Sequence, residues 1–157
     1  MPYTYDSLSR EARLAGVEII EKKLRGRNKG FYGDGLILVD KRSTITEKVC
    51  ILAEELGHYH TTTGDITDQS KLENRKQELR ARQWAHQKLI PFERIVAAYK
   101  AGAKNRHEIA EYLDVTEEFL QAAIDRYTEK YGVGAILQDR YIIFFEPRLL
   151  VAEMFLE

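Results

Sequence analysis

The 157-residue chain predicts a mostly helical α+β domain with a small sheet toward its N-terminus. Two patterns predict it. Apolar residues recur at helical spacing through most of residues 44–131. One apolar run, Leu36-Ile37-Leu38-Val39, follows the turn signal Gly33-Asp34-Gly35 and is short enough for a strand. Composition agrees, because 44% hydrophobic and 31% charged residues suit a packed core under a wet surface rather than a disordered chain. The length suits a single domain over residues 1–157, able to bury its core without disulfides.

Taken in order, Leu8, Ala12, Ala15, Ile19, Ile20 and Leu24 give helical spacing over residues 7–25. Residues 25–30 form a basic, glycine-containing loop that reads as a solvated turn. Phe31-Tyr32 is placed to pair with the strand at 36–39 as a hairpin. A helix then starts near Thr44 or Thr46, where a hydroxyl caps and Glu47 favours the first turn. Its core stripe is Ile45, Val49, Leu52, Ala53 and Leu56, and it ends before Thr61-Thr62-Thr63-Gly64-Asp65, a loop expected to be exposed. Residues 71–90 read as a long charged helix stopped by Pro91, and residues 92–101 as another ending at Gly102. Residues 107–113 and 117–131 give two more, separated by Asp114-Val115-Thr116. Residues 141–145 read as a final strand limited by Pro147, with residues 149–156 apolar enough to dock on the core. No internal repeat or low-complexity linker is present.

A formal net charge of -1 supplies no global field toward nucleic acid or an acidic membrane. One cysteine, Cys50, excludes an internal disulfide and fits a reducing compartment. The first residues show no basic patch followed by an apolar run, and no stretch approaches a membrane span, so a cytoplasmic location is expected.

The chemistry concentrates in Glu54-Glu55-Leu56-Gly57-His58, one letter from the metal-binding motif H-E-x-x-H. On a helix, residues four apart lie within about 40° of each other, so Glu54 and His58 can reach one ion. Glu55, about 100° round from Glu54, can reach a ligand on that ion without joining it. Read alone the string is weak, because acidic pairs on helices are commonly ordinary surface charges. The helix at 71–90 adds weight: Glu78 falls on the face of Ala81, Ala85 and Leu89, with Trp84 flanking. A carboxylate facing a core needs a partner, either a divalent cation or a basic side chain. Ala81 and Ala85 would also let that helix come close to its neighbour.

Residues 50–58, then Glu78-x-x-Ala81-x-x-Trp84-Ala85, then Leu89-Ile90-Pro91, resemble the ImmA/IrrE family of zinc metallopeptidases. The resemblance spans roughly residues 36–91, the motif core, and leaves residues 92–157 as a helical C-terminal extension. It implies a zincin-like helix pair in which His58 is a zinc ligand, Glu78 the third protein ligand and Glu55 the catalytic base. Glu54 stands where the family usually has its first histidine, a form resembling that of a prophage-associated branch. The implied activity is a metallo-endopeptidase that cleaves a regulatory protein, such as the repressor of a phage or mobile element. Zinc is the implied cofactor.

Carboxylate oxygens bind zinc at about the distance of imidazole nitrogen, so Glu54 can serve as a ligand. A set of one histidine and two glutamates cancels the ion's charge, which acidifies a bound water less and shifts preference toward harder metals such as manganese. His60 points away from the Glu54–His58 face and reads as a polar contact, His86 as a helix-edge residue and His107 as structural. Cys50 reads as a small core residue. Leu36 to Val39 could offer a strand edge to an extended substrate. Residues 106–120 resemble a helix-turn-helix, but the would-be recognition helix opens with Glu117-Glu118, where negative charge repels phosphates. The alternatives to a peptidase are a non-catalytic regulator that keeps the protease fold to bind a partner protein, and a helix-turn-helix DNA-binding protein.

Overall fold

The computed structural model describes residues 3–61 and 71–155. Residues 62–65 of the loop expected to be exposed lie outside the described residues. The chain packs as two compact units, Tyr3–Lys88 and the part from Leu89 onward. The fold is mostly helical α+β, as the periodicity predicts.

In the first unit, helix α1 (Tyr5–Leu14) is opened by a capping box, with Ser7 N donating to Thr4 Oγ1 and Thr4 N to Ser7 Oγ, both at 3.0 Å. The helical spacing expected over residues 7–25 holds only to Leu14. Gly16 takes φ +88°, a left-handed conformation open to glycine, and the chain turns out of the helix. Val17, Ile19 and Ile20 are β-branched and lie in or beside strand β1 (Glu18–Lys22). Strand β2 (Gly30–Gly33) and strand β3 (Leu36–Asp40) form the expected hairpin.

The sheet order is β1-β3-β2, with β1 parallel to β3 and β2 antiparallel to it. Strand β3 is therefore central, and Leu36 to Val39 offer no edge. Their unbroken apolar run is what a strand flanked on both sides requires: Ile37 and Val39 are fully buried. The edge next to the motif helix belongs to β2. At the far end of β3, Asp40 is buried and accepts from Arg42 N (2.9 Å), Nε (3.0 Å) and Nη2 (2.7 Å). The guanidinium also donates to Leu24 O at 2.8 Å, tying the preceding loop to the sheet. These bonds hold the Asp40 carboxyl well below the usual carboxylate range. A depressed folded value means that the unfolded chain binds the proton first, so this stabilisation is present above about pH 4 and is lost as pH falls further. Urea midpoints between about pH 2 and 5 should therefore fall more steeply for the parent than for Asp40→Asn.

Helix α2 (Ile45–Thr61) starts as expected, with Glu47 N donating to Thr44 Oγ1 (3.1 Å) and Thr44 N donating back to Glu47 Oε1 (3.0 Å). Val49, Leu52, Ala53 and Leu56 are buried, whereas Ile45, expected in the stripe, is 60% exposed at the first turn. Helix α3 (Lys71–Leu89) buries Ala81, Ala85 and Leu89 completely.

The second unit holds α4 (Phe92–Lys100), α5 (Arg106–Leu113) and α6 (Glu117–Tyr131). Asp114 takes the left-handed turn position (φ 56°), a place where aspartate substitutes for glycine at modest cost, and Thr116 accepts from Phe119 N to cap α6. A single final strand in a helical extension was too little: β4 (Gly134–Leu137), β5 (Tyr141–Phe144) and β6 (Leu150–Glu153) form an antiparallel sheet in that order. The β4–β5 turn uses Gln138-Asp139, both at positive φ, where the strong hairpin signal is Asn-Gly, so the sequence hid it. Tyr127 anchors this unit by donating its buried hydroxyl to Ile90 O at 2.7 Å.

Candidate active site

The site begins with a glycine. A Cβ on Gly57 would stand 2.2 Å from Ala81 O and 2.9 Å from Ala81 C, so α2 and α3 meet backbone to backbone there. Glycine inside a helix costs about 1 kcal/mol relative to alanine, and this contact is its return. Ala81, with no side chain beyond Cβ, completes the approach from α3. One residue further along α2, His58 is carried to α3, and Nε2 lies 3.0 Å from Glu78 Oε2.

Of the four residues singled out in the sequence, His58 and Glu78 are in contact, and Glu54 and Glu55 lie near enough to feel their charges. Glu54 and Glu55 project from one turn of α2 and His58 from the next, each partly buried, and Glu78 reaches His58 from α3. Glu78 is less enclosed than its apolar stripe suggests: its side chain is 45% exposed, and Arg82 Nε lies 3.5 Å from Oε1. Both candidate partners, imidazole and guanidinium, therefore surround it. The hydrogen bond to Glu78 raises the His58 pKa, and the same bond lowers that of Glu78. Burial raises Glu54, with Arg82 opposing. Burial also pushes Glu55 up to about 7, with His58 opposing and the charges of Glu54 and Glu78 adding. Both neighbouring carboxylates are thus raised by burial, and Glu55 is poised to gain or lose a proton near neutrality.

Gly30 is a second residue that sequence reasoning missed. A Cβ there would meet Ile51 Cγ2 at 2.5 Å and Glu55 Cγ at 3.1 Å, so β2 lies directly against the side chain of Glu55. The Ile51 methyl leaves room only for a bare backbone at this point of the strand. The visible signal was a glycine in a strand, which marks close backbone approach. Tyr59 fastens the same stretch of α2 by donating to Ala15 O at 3.2 Å, with Tyr32 edge-on to its ring.

His60 makes a larger contact than expected, stacking on Trp84 of α3 with ring centroids 4.6 Å apart and planes inclined by 20°. It clamps the end of α2 to α3 without facing the carboxylates. His86, expected at a helix edge, is buried. Cys50 is buried as a core residue. His107 joins α5 to α6 between Glu111 (3.0 Å) and Glu117 (2.5 Å) in the other unit, a structural bridge.

The donor set can be tested against a divalent cation. Zinc bonds of about 2.0–2.1 Å at the tetrahedral angle put neighbouring donors about 3.3 Å apart. His58 Nε2 and Glu78 Oε2, at 3.0 Å, stand close to that spacing. Among the described residues no three such side chains converge, and Glu54 lies one turn before His58 on the same helix. Imidazole nitrogen with carboxylate oxygens is a set that borderline and harder divalent ions accept.

No curated protein matches the chain. The family model described as the IrrE N-terminal-like domain, a peptidase family, matches residues 12–125, which covers α2, α3 and every residue of the site. The chain therefore belongs to the IrrE N-terminal-like domain family of peptidases and carries its metallopeptidase-like fold.

Proposed function

We propose that the chain is a metal-dependent endopeptidase, with Glu54, His58 and Glu78 holding zinc or, given two carboxylate ligands, manganese. The observation that carries this reading is the His58–Glu78 contact of 3.0 Å beside a buried Glu55 whose pKa lies near 7. A cation bound there would supply Lewis-acid polarisation of the scissile carbonyl and of the attacking water. Glu55 accepts that water's proton and passes it to the leaving amine, which is the work of a base titrating near the operating pH. The bare edge of β2, lying against Glu55, is where an extended peptide could pair by main-chain hydrogen bonds. The substrate we infer is a regulatory protein such as a phage or mobile-element repressor, met in the cytoplasm. Family resemblance supports that choice, and no helix among the described residues is long and apolar enough to cross a membrane.

Metal affinity tests the ligand set. Glu54→Ala should weaken zinc binding by more than roughly tenfold, the size that losing even an outer partner costs. Glu54→His should bind zinc at least as well as the parent, because it restores a net positive site at the same helical spacing. Competition with a chromogenic chelator reads both, and equal affinity in parent and Glu54→Ala would make Glu54 a bystander. A non-catalytic regulator is the second reading. It is favoured by the absence, among the described residues, of three donors already converged, and that result for Glu54→Ala would make it the better one.

A further inference from the structure

A formal charge of -1 conceals a segregation along the chain. Residues 1–88 carry 16 lysines and arginines against 13 acidic residues, and residues 89–157 carry 8 against 12. The excess gathers at one end of the first unit's sheet. Strands β1 and β3 finish together, Lys22 opposite Asp40, and β2 begins there, Gly30 opposite Val39. The loop of residues 23–29 and the residues just after β3 therefore share that end. They are tied to it by bonds from Lys41 N to Lys22 O (3.1 Å), Asp40 N to Lys29 O (2.8 Å) and Arg42 Nη2 to Leu24 O (2.8 Å).

The acids in this region are already matched: Glu47 by Lys29, Asp40 by Arg42 and Glu21 by Lys48. Five exposed cations remain, Lys22, Lys23, Arg25, Arg27 and Lys41. Their side chains make no hydrogen bond or ion pair among the described residues. A sequence view took residues 25–30 as a solvated turn; the fold adds Lys22, Lys23 and Lys41 to it and removes the counter-charges.

We propose that this sheet end docks on the phosphate backbone of a nucleic-acid duplex without reading its sequence. Phosphates are met by Arg, Lys and Asn side chains and by backbone N–H groups, and the loop offers the first three with Asn28 and a left-handed Gly26 between the arginines. A protein partner would need an apolar anchor, and lysine is depleted at such interfaces. The exposed large apolar side chains near the patch among the described residues are two single aliphatics, Ile20 and Ile45; Phe31 folds across Gly33, toward the other end of β2. Residues 22–29 contain no aromatic ring on which single-stranded bases could stack. Gly30, which ends the loop, lies against Glu55, so a docked duplex would border the site. A peptidase whose substrate sits on DNA would be held near it. That use rests on the proposed function, whereas the docking does not.

The test is anisotropy of a labelled duplex of arbitrary sequence, a few helical turns long, titrated with the full chain between about 50 and 200 mM salt. The parent should bind with Kd of about 10⁻⁴–10⁻⁶ M at physiological salt and more tightly below it. The triple variant Arg25→Ala, Arg27→Ala, Lys41→Ala should melt like the parent and lose at least about tenfold. Its log–log salt slope should be shallower by about 0.9 for each contact removed. A control on α3, Arg75→Ala with Arg80→Ala, should bind like the parent. Absence of parent binding at about 50 mM salt, or a triple variant that binds unchanged, would overturn the proposal. Tighter binding of a polyglutamate peptide than of the duplex would also overturn it and assign the surface to an acidic protein. Glu55→Gln should keep duplex binding, so this inference and the peptidase reading fail separately.

Discussion

Replacing Gly57 by alanine should lower the melting temperature by roughly 4–8 °C, although alanine is the better helix former. Two effects oppose each other. In an open helix the change would stabilise by about 1 kcal/mol through propensity alone. Here the new methyl would stand 2.2 Å from the backbone oxygen of Ala81, an atom that no rotamer change can move aside. The helices must separate, and overpacking of this kind costs about 1–3 kcal/mol, occasionally more. The clash therefore outweighs the propensity gain. Separation also draws His58 away from Glu78, so metal affinity should fall together with stability. Thermal melts and chelator competition on the same variant read both. A higher melting temperature than the parent's would show that α2 and α3 do not meet as described.

Glu55→Gln should abolish proteolysis while the fold and the metal affinity persist. Glutamine keeps the shape and loses the proton acceptor, and removal of a general base typically costs about 10²–10⁴-fold in rate. The burial of Glu55 adds a second readout in chelator-treated protein. Its folded pKa of about 7 lies above the unfolded value near 4.3. The folded state therefore holds its proton longer than the unfolded chain, and stability falls as pH rises from about 4 to about 7. Glutamine removes this part of the fall, leaving that of Glu54, which is also raised. The variant should melt above the parent at pH 8 and close to it at pH 4. Cleavage at the parental rate would remove Glu55 from the chemistry. An unchanged pH profile would mean that its carboxylate is better solvated than the structure places it.

Much of this site could be read from the chain because its rules are local. Glu54, Glu55 and His58 share one helix, so spacing alone set their relative directions, and the Thr44–Glu47 box and the Asp114–Thr116 turn are complete within a few residues. The residues 15–22 were misread for the same reason. Ala15 and Ile19 fit a helical spacing, and only the parallel pairing with β3, far along the chain, decided that Glu18 to Lys22 extend. Similarly, nothing near Leu36 to Val39 says which strands will cover its two edges. The sequence alone determined which side chains α2 presents and that Glu78 lies on the small-residue face of its own helix. Tertiary structure alone decided that Glu78 meets His58, that Glu55 lies under the bare backbone of Gly30, and that five uncompensated cations share one end of a sheet. The first two outcomes depend on how closely two elements approach, and that distance is set by what one of them lacks at the point of contact: at Gly57 and Gly30, a side chain.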